Sequence, residues 1–330
     1  MIYHSLPEVS KKRMTRFYTE KDVAELLPMG DAVACVERAL RLLAEDQAVN
    51  LPRQRIRVDK LVLHVLPAGS AELGYVGLKA YTTGPSGARF YFLQFDAKSG
   101  ELVAMMQADR LGQIRTGAAS GVATKFMARE DATRVGIYGT GWQARAQLHA
   151  IAEVRPIVSM VAYGRDAARR EKFCSEMTEE LGVPVRPVET PEEVPQDADI
   201  VVTATNAREP VLRGAWLKPG QHVNAIGSNA LRRIEIDEEA VTRMSFIAAD
   251  AIDQAKIECG DLAAVVEAGK LSWDGVHEIA DVVGGKVTAR RGPDDITLFE
   301  SQGLAIEDVA VAKHVYEAGS AKGMGTVLEI

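Results

Sequence analysis

The chain has 330 residues, 47% of them hydrophobic and 26% charged, with 39 Lys and Arg against 46 Asp and Glu for a net charge of −7. That length and composition exclude a disordered chain and suit two folded domains, and the acidic balance argues against broad nucleic-acid binding. No apolar run reaches the roughly 18 residues of a membrane span, and the basic amino-terminal patch precedes no apolar stretch, so neither a membrane segment nor a secretory signal is expected.

In chain order, Thr19 is placed to cap a helix through Val23, Leu26 and Leu27, and Met29-Gly30-Asp31 opens a second helix. Short strands follow at 56–58, 61–66, 75–81, 89–96 and 102–107, and the first four are separated by Pro67-Ala68-Gly69 and other turn clusters. This reads as an antiparallel or mixed sheet. Residues 112–127 form a helix rich in small side chains. The rhythm then changes to strands at 134–138, 158–163, 183–188, 198–205, 222–227 and 246–249, with helices at 142–152 and 166–181. Alternation of that kind predicts a doubly wound parallel sheet, a Rossmann-type α/β fold. A helix at 306–316 and a polar, Gly-rich tail close the chain. Cys35, Cys174 and Cys259 stand far apart, and the six histidines contain no H-E-x-x-H, so no metal is expected and a reducing cytoplasmic setting is.

The strongest motif is the turn Gly139-Thr140-Gly141-Trp142-Gln143-Ala144, set between a predicted strand and a predicted helix. Gly139 permits the tight turn, Gly141 admits a pyrophosphate, and Ala144 keeps the helix near the sheet. Where NAD sites usually place an acid, this chain has Gly164-Arg165-Asp166. Arg165, with Arg169 behind it, favours a 2′-phosphate, so NADP(H) is the preferred cofactor and NAD(H) the possible one; Asp166 reads as a helix cap. Thr205 and Asn206, ending the fourth strand of this sheet, contact ribose or nicotinamide, or else Asn206 caps a turn. His222 reads as a structural histidine.

The glycine turn with Gln143, the loop Gly227-Ser228-Asn229, the segment LFESQGLAIEDVA, Lys79-Ala80-Tyr81-Thr82-Thr83-Gly84-Pro85 and Gln113-Ile114-Arg115-Thr116-Gly117-Ala118 agree in order and spacing. On these residues the chain resembles the ornithine cyclodeaminase/mu-crystallin family over almost its whole length. The resemblance implies a substrate-binding and dimerisation domain at 1–125 plus 309–330, with the dinucleotide domain, 126–308, inserted in it. It also implies a homodimer built through the sheets of the first domain.

Any 2-imino or 2-amino acid carries a carboxylate that must be held, and arginine grips one with two parallel donors. Arg115 lies in an otherwise small and apolar helix start, and the resemblance makes it the substrate-carboxylate arginine. Lys79 ends an apolar strand; its ammonium would bind the carboxylate or pass a proton to the substrate nitrogen. Arg53 resembles a further substrate arginine, with Arg55 and Arg57 as alternatives in register. Ser301 would meet the nicotinamide carboxamide, and Arg115 and Thr116 also fall on the cofactor side. Glu307 and Asp308 read as helix caps. Asn229 stands where cyclodeaminases of the family carry an aspartate, and an amide cannot take a proton at neutral pH. The resemblance, with an asparagine at 229, implies an NAD(P)H-dependent reductase of small imino acids, delivering hydride to C2. An ornithine cyclodeaminase with bound NAD and a non-catalytic binder of mu-crystallin type are the alternatives.

Overall fold

The computed structural model describes residues 14–329. The basic patch Lys11-Lys12-Arg13 lies outside the described residues. Strand β1 (Met14–Tyr18) and helices α1 (Glu20–Leu26) and α2 (Met29–Ala44) lead into β2 (Val49–Asn50), β3 (Gln54–Val58), β4 (Leu61–Ser70), β5 (Tyr75–Gly84), β6 (Gly87–Asp96), β7 (Leu102–Gln107) and the long α3 (Asp109–Met127). Thr19 caps α1 as expected: Asp22 N donates to its hydroxyl at 3.3 Å, and Thr19 N donates back to the Asp22 carboxylate at 2.8 Å. Strands β4 to β7 form an antiparallel meander, β7 pairs parallel with β1, and β2 and β3 both lie along the free side of β4.

Pro67 does not end its strand, contrary to the turn read at Pro67-Ala68-Gly69. β3 pairs with β4 as far as Val65, and β2 takes over at Ala68. The Pro67 carbonyl accepts from Leu51 N at 3.2 Å on that side. The proline's missing N–H therefore falls in the gap between two partner strands, where no ladder bond is lost.

The second half runs β8 (Arg134–Tyr138), α4 (Trp142–Val154), β9 (Ser159–Tyr163), α5 (Ala167–Leu181), β10 (Val185–Pro187), β11 (Ile200–Thr203), β12 (His222–Ala225), α6 (Glu238–Thr242), β13 (Phe246–Ala249), α7 (Ile252–Glu258), α8 (Gly260–Glu267), β14 (Val276–Glu278), α9 (Ile279–Val283) and β15 (Thr297–Glu300). The chain closes with α10 (Ala305–Ala321) and β16 (Thr326–Glu329). The second sheet is parallel throughout, in the order β10-β9-β8-β11-β12-β15-β13-β14. The chain reverses its direction of winding between β8 and β11, where a doubly wound sheet opens its ligand crevice.

Between 249 and 306 and at the chain's two ends the architecture holds elements absent from the sequence expectation. β15 inserts between β12 and β13, although no strand was expected in its segment. The Gly-rich tail ends in β16, which pairs antiparallel with β1, a strand in a segment to which the sequence assigns no element. Both are four- or five-residue pieces whose partners lie far away in sequence, so local pattern carries little of the signal.

Helix α10 crosses the inner face of β4–β6 and packs on α2 and α3. Phe92 is fully buried in that core, and Phe90 stacks on Tyr81 at 4.7 Å. These two rings thus face inward rather than toward a partner. The apolar residues left outside are those of the opposite parity and of the neighbouring strands: Leu61, Val76 and Tyr91 are each nearly half exposed. Among the described residues no helix is long and apolar enough to cross a membrane.

Candidate active site

The cofactor side is built at the end of β8. Gly139 has φ +105°, and a Cβ there would stand 2.4 Å from the Ala204 carbonyl oxygen, so only glycine fits the turn. Gly141 is the N-cap of α4, no side chain bonds the cap, and nothing lies within 4 Å of a Cβ placed on it. The first-turn N–H groups are left open to an anion. Ala144 is fully buried between helix and sheet, and Thr140 packs against Gly164. Gln143 Oε1 is buried with no hydrogen-bond partner, an acceptor awaiting a donor. An open glycine cradle, an uncapped helix start and an orphaned amide oxygen together fit a dinucleotide.

Arg165 is exposed and makes no hydrogen bond or ion pair among the described residues. Asp166 caps α5, accepting from Arg169 N at 2.9 Å. Thr205 gives both its N–H and its hydroxyl to the buried Glu235 at 2.6 Å. The same carboxylate accepts from Thr203 Oγ1 and Gly227 N, tying the loops after β11 and β12 together. Ala207 N donates to Thr205 Oγ1, so Thr205 caps this turn and the exposed Asn206 does not.

The other residues of interest line one cleft of about 870 Å³ between the two sheets: Arg53, Lys79, Arg115, Thr116, Gln143, Asn229 and Ser301. Lys79, on the inner face of β5, meets Asp308 of α10 at 2.7 Å. Arg115, from the second turn of α3, gives Nε to the same Asp308 and Nη1 to Glu307, each at 3.1 Å. Arg115 Nη2 has no protein hydrogen bond among the described residues. Gly303, at φ +89°, leaves the guanidinium room: a Cβ there would stand 2.5 Å from Arg115 Nη1. Thr116 turns its hydroxyl back to the Gly112 carbonyl at 2.7 Å. Ser301 donates to Asp250 at 3.3 Å. Arg53 is buried, giving Nη1 to Glu258 at 2.8 Å and Nη2 to the Gln302 carbonyl at 2.7 Å, while its buried Nε has no partner among the described residues. Arg55 also reaches Glu258, at 2.5 Å. Asn229 Oδ1 accepts from Arg233 at 2.8 Å.

Burial, reinforced by the neighbouring Arg115, lowers Lys79 from 10.5 to about 8, against the pull of Asp308. Glu307 is raised to about 8 by burial and by Asp250. Near neutral pH Glu307 therefore puts little charge against Arg115, while Lys79 and Arg115 converge on the one carboxylate of Asp308, an arrangement that favours an incoming carboxylate. His222 stands apart: it is buried between Thr297 and Asn224, at 2.9 and 3.2 Å, and burial lowers it to about 3. Its role is structural. Among the described residues no cluster of His, Cys, Asp and Glu is arranged to hold a metal ion.

The acids are what sequence reading undervalued. Glu307 and Asp308 read as caps, and Glu307 does accept weakly from Leu304 N at 3.4 Å, but both serve mainly to hold Arg115. The signal was present: two adjacent acids inside the apolar run Gly-Leu-Ala-Ile-Glu-Asp-Val-Ala demand buried cations.

Residues 13–323 match the ornithine cyclodeaminase/mu-crystallin family. Delta(1)-pyrroline-2-carboxylate reductase of Thermococcus litoralis, solved in complex with NADH and L-proline, superimposes with a TM-score of 0.91 at 33% identity, covering 94% of this chain and 99% of that one. An archaeal alanine dehydrogenase dimer with bound NAD gives 0.90 at 33% identity over 96% and 99%. The iminosuccinate reductase of Paracoccus denitrificans in complex with NAD+ gives 0.90 at 27% identity over 96% and 100%. These three relatives hold NADH, NAD and NAD+, which overturns the expected preference for NADP(H). That preference rested on Arg165, and an exposed arginine without a protein partner is equally served by water. With its parallel nucleotide-binding sheet, its separate mixed sheet and the cleft between them, the chain belongs to the ornithine cyclodeaminase/mu-crystallin family.

Proposed function

We propose that this protein is an NAD(H)-dependent oxidoreductase that reduces a small 2-imino carboxylate at C2 to the 2-amino acid and catalyses the reverse oxidation. The observation that carries this reading is the convergence of Lys79 and Arg115 on Asp308, in the cleft that Gln143 enters from the glycine turn. The bound dinucleotide supplies or accepts the hydride. Gly141 and the first turn of α4 hold its pyrophosphate, and Gln143 and Ser301 bond its nicotinamide half. Arg115 grips the substrate carboxylate through its free Nη2 edge, with Nε and Nη1 fixed by Asp308 and Glu307, so the fork is pre-oriented. Lys79 delivers the one proton that the substrate nitrogen needs as C2 gains hydride, and takes it back in the oxidative direction.

Arg53 braces the wall by neutralising Glu258. Asn229 orients groups by hydrogen bonds only, which disfavours a cyclodeaminase, where a carboxylate would act on the amine. Residues 1–125 with 309–330 form the substrate and dimer domain, and 126–308 the dinucleotide domain. The apolar outer face of β4–β6 pairs with a second copy to give a homodimer. The three cysteines, spread over α2, α5 and the α7–α8 junction, fit a reducing cytoplasmic setting. The test is NADH oxidation with cyclic imino acids, and with 2-oxo acids plus ammonia, alongside ornithine with NAD+. Reduction of an imino acid supports the reading; proline and ammonia formed from ornithine instead would overturn it.

A further inference from the structure

The cleft is strongly basic in a chain whose net charge is −7. Eight Lys and Arg side chains line it. Four are ion-paired within the protein: Arg53 and Arg55 share Glu258, Lys79 meets Asp308, and Arg115 meets Asp308 and Glu307. The other four are Arg57 and Lys60, beside the β3–β4 turn, and Arg232 and Arg233, in the loop after Asn229; none forms an ion pair among the described residues. A single substrate carboxylate at Arg115 and Lys79 leaves this second set unmatched.

The second set is continuous with the reacting end of the cleft. Tyr81 lies two residues beyond Lys79 on the same face of β5, about 7 Å along the strand. His64 stacks on Tyr81 at 4.2 Å with the rings parallel to 2°. Burial and the positive field of Arg55, Arg53 and Arg57 push His64 down to about 4, so it is neutral and relieves none of the crowding. Across the cleft, Arg233 is lowered by burial and by the adjacent Arg232. Like charges gathered on facing walls, none of them ion-paired to a carboxylate among the described residues, make a receptor for an anion.

Resting on the reductase reading above, we propose that Arg57, Lys60, Arg232 and Arg233 form a subsite for a second carboxylate, so that the preferred substrate is a 2-imino acid whose side chain ends in a carboxylate. The wall then sorts substrates by side-chain charge, while Arg115 and Lys79 handle the carboxylate and nitrogen common to all of them.

The experiment compares kcat/KM, at saturating NADH and excess ammonia, for pyruvate against oxaloacetate and 2-oxoglutarate. It is run on the full chain and on Arg57→Gln and Arg232→Gln, two exposed positions whose loss leaves no buried charge. The expected result is a preference of about tenfold or more for a dicarboxylic imine, the usual scale of one charge-assisted hydrogen bond. Each variant should cut that preference about tenfold and leave pyruvate turnover within about twofold. Equal kcat/KM for mono- and dicarboxylic imines, or an equal loss for both in the variants, overturns the subsite and leaves the reductase standing. If no imine is reduced, the reductase reading fails, and succinate and butyrate titrated against the NADH-bound protein decide the subsite by themselves. Succinate binding that weakens in Arg57→Gln supports it; succinate bound no better than butyrate overturns it.

Discussion

Replacing Lys79 with Met tests the division of labour in the cleft. The side chain keeps its length and loses its charge. Asp308 retains its 3.1 Å bond to Arg115 Nε, so one buried partner remains and the fold should survive. Lys79 is held at about 8 instead of 10.5, a difference of about 3 kcal/mol against the ammonium, supplied by burial and by Arg115. At pH 7 about nine in ten molecules still carry the proton, and they part with it far more readily than an ordinary lysine. Loss of such a donor lowers kcat by about 10²-fold or more. The sign of the pH dependence follows: activity needs the protonated amine, so kcat/KM in the reductive direction should fall as pH rises through about 8. In Lys79→Met that alkaline limb should disappear. The assay is steady-state kinetics with saturating NADH from pH 6 to about 10, with circular dichroism confirming the fold. If the variant changes only KM and keeps the alkaline limb, Lys79 is a second carboxylate clamp and the argument for proton transfer fails.

Arg115→Lys keeps the charge but loses the planar fork that Asp308 and Glu307 orient, and KM should rise about tenfold or more with kcat less affected; an unchanged KM would place the substrate carboxylate elsewhere. Gly303→Ala puts a methyl group 2.5 Å from Arg115 Nη1 at φ +89°, and should raise KM in the same way while costing about 1–3 kcal/mol of stability; a wild-type KM would show that the guanidinium position is unimportant. Glu307, raised from 4.5 to about 8, binds its proton more tightly in the folded chain, so its contribution to stability falls as pH rises across that window. Glu307→Gln lacks this proton, and its Tm should gain on the wild type between about pH 5 and 8; a constant difference contradicts the assignment. Light scattering should give twice the chain mass of 35.7 kDa, and Val76→Asp with Tyr91→Asp should shift it toward the single chain; a wild-type monomer refutes the interface.

What the sequence determined by itself was whatever local geometry dictates. Gly139 and Gly141 announce a nucleotide turn because a positive φ and an open cradle are properties of a few consecutive residues. Thr19 and Asp166 cap their helices for the same reason. Arg115 was legible because a charge set among small apolar residues has to be buried with a purpose. The tertiary structure decided the rest. Lys79 and Asp308 are 229 residues apart, and nothing local to either shows that α10 will lay its first turn across β5. The place of Pro67 within a strand depends on where two other strands exchange, and the insertion of β15 between β12 and β13 depends on neighbours rather than on its own four residues. Which carboxylate neutralises which arginine, and hence which four basic side chains of the cleft are left for a ligand, is a long-range pairing problem. It is settled only when burial forces every charge either to find a partner or to face water.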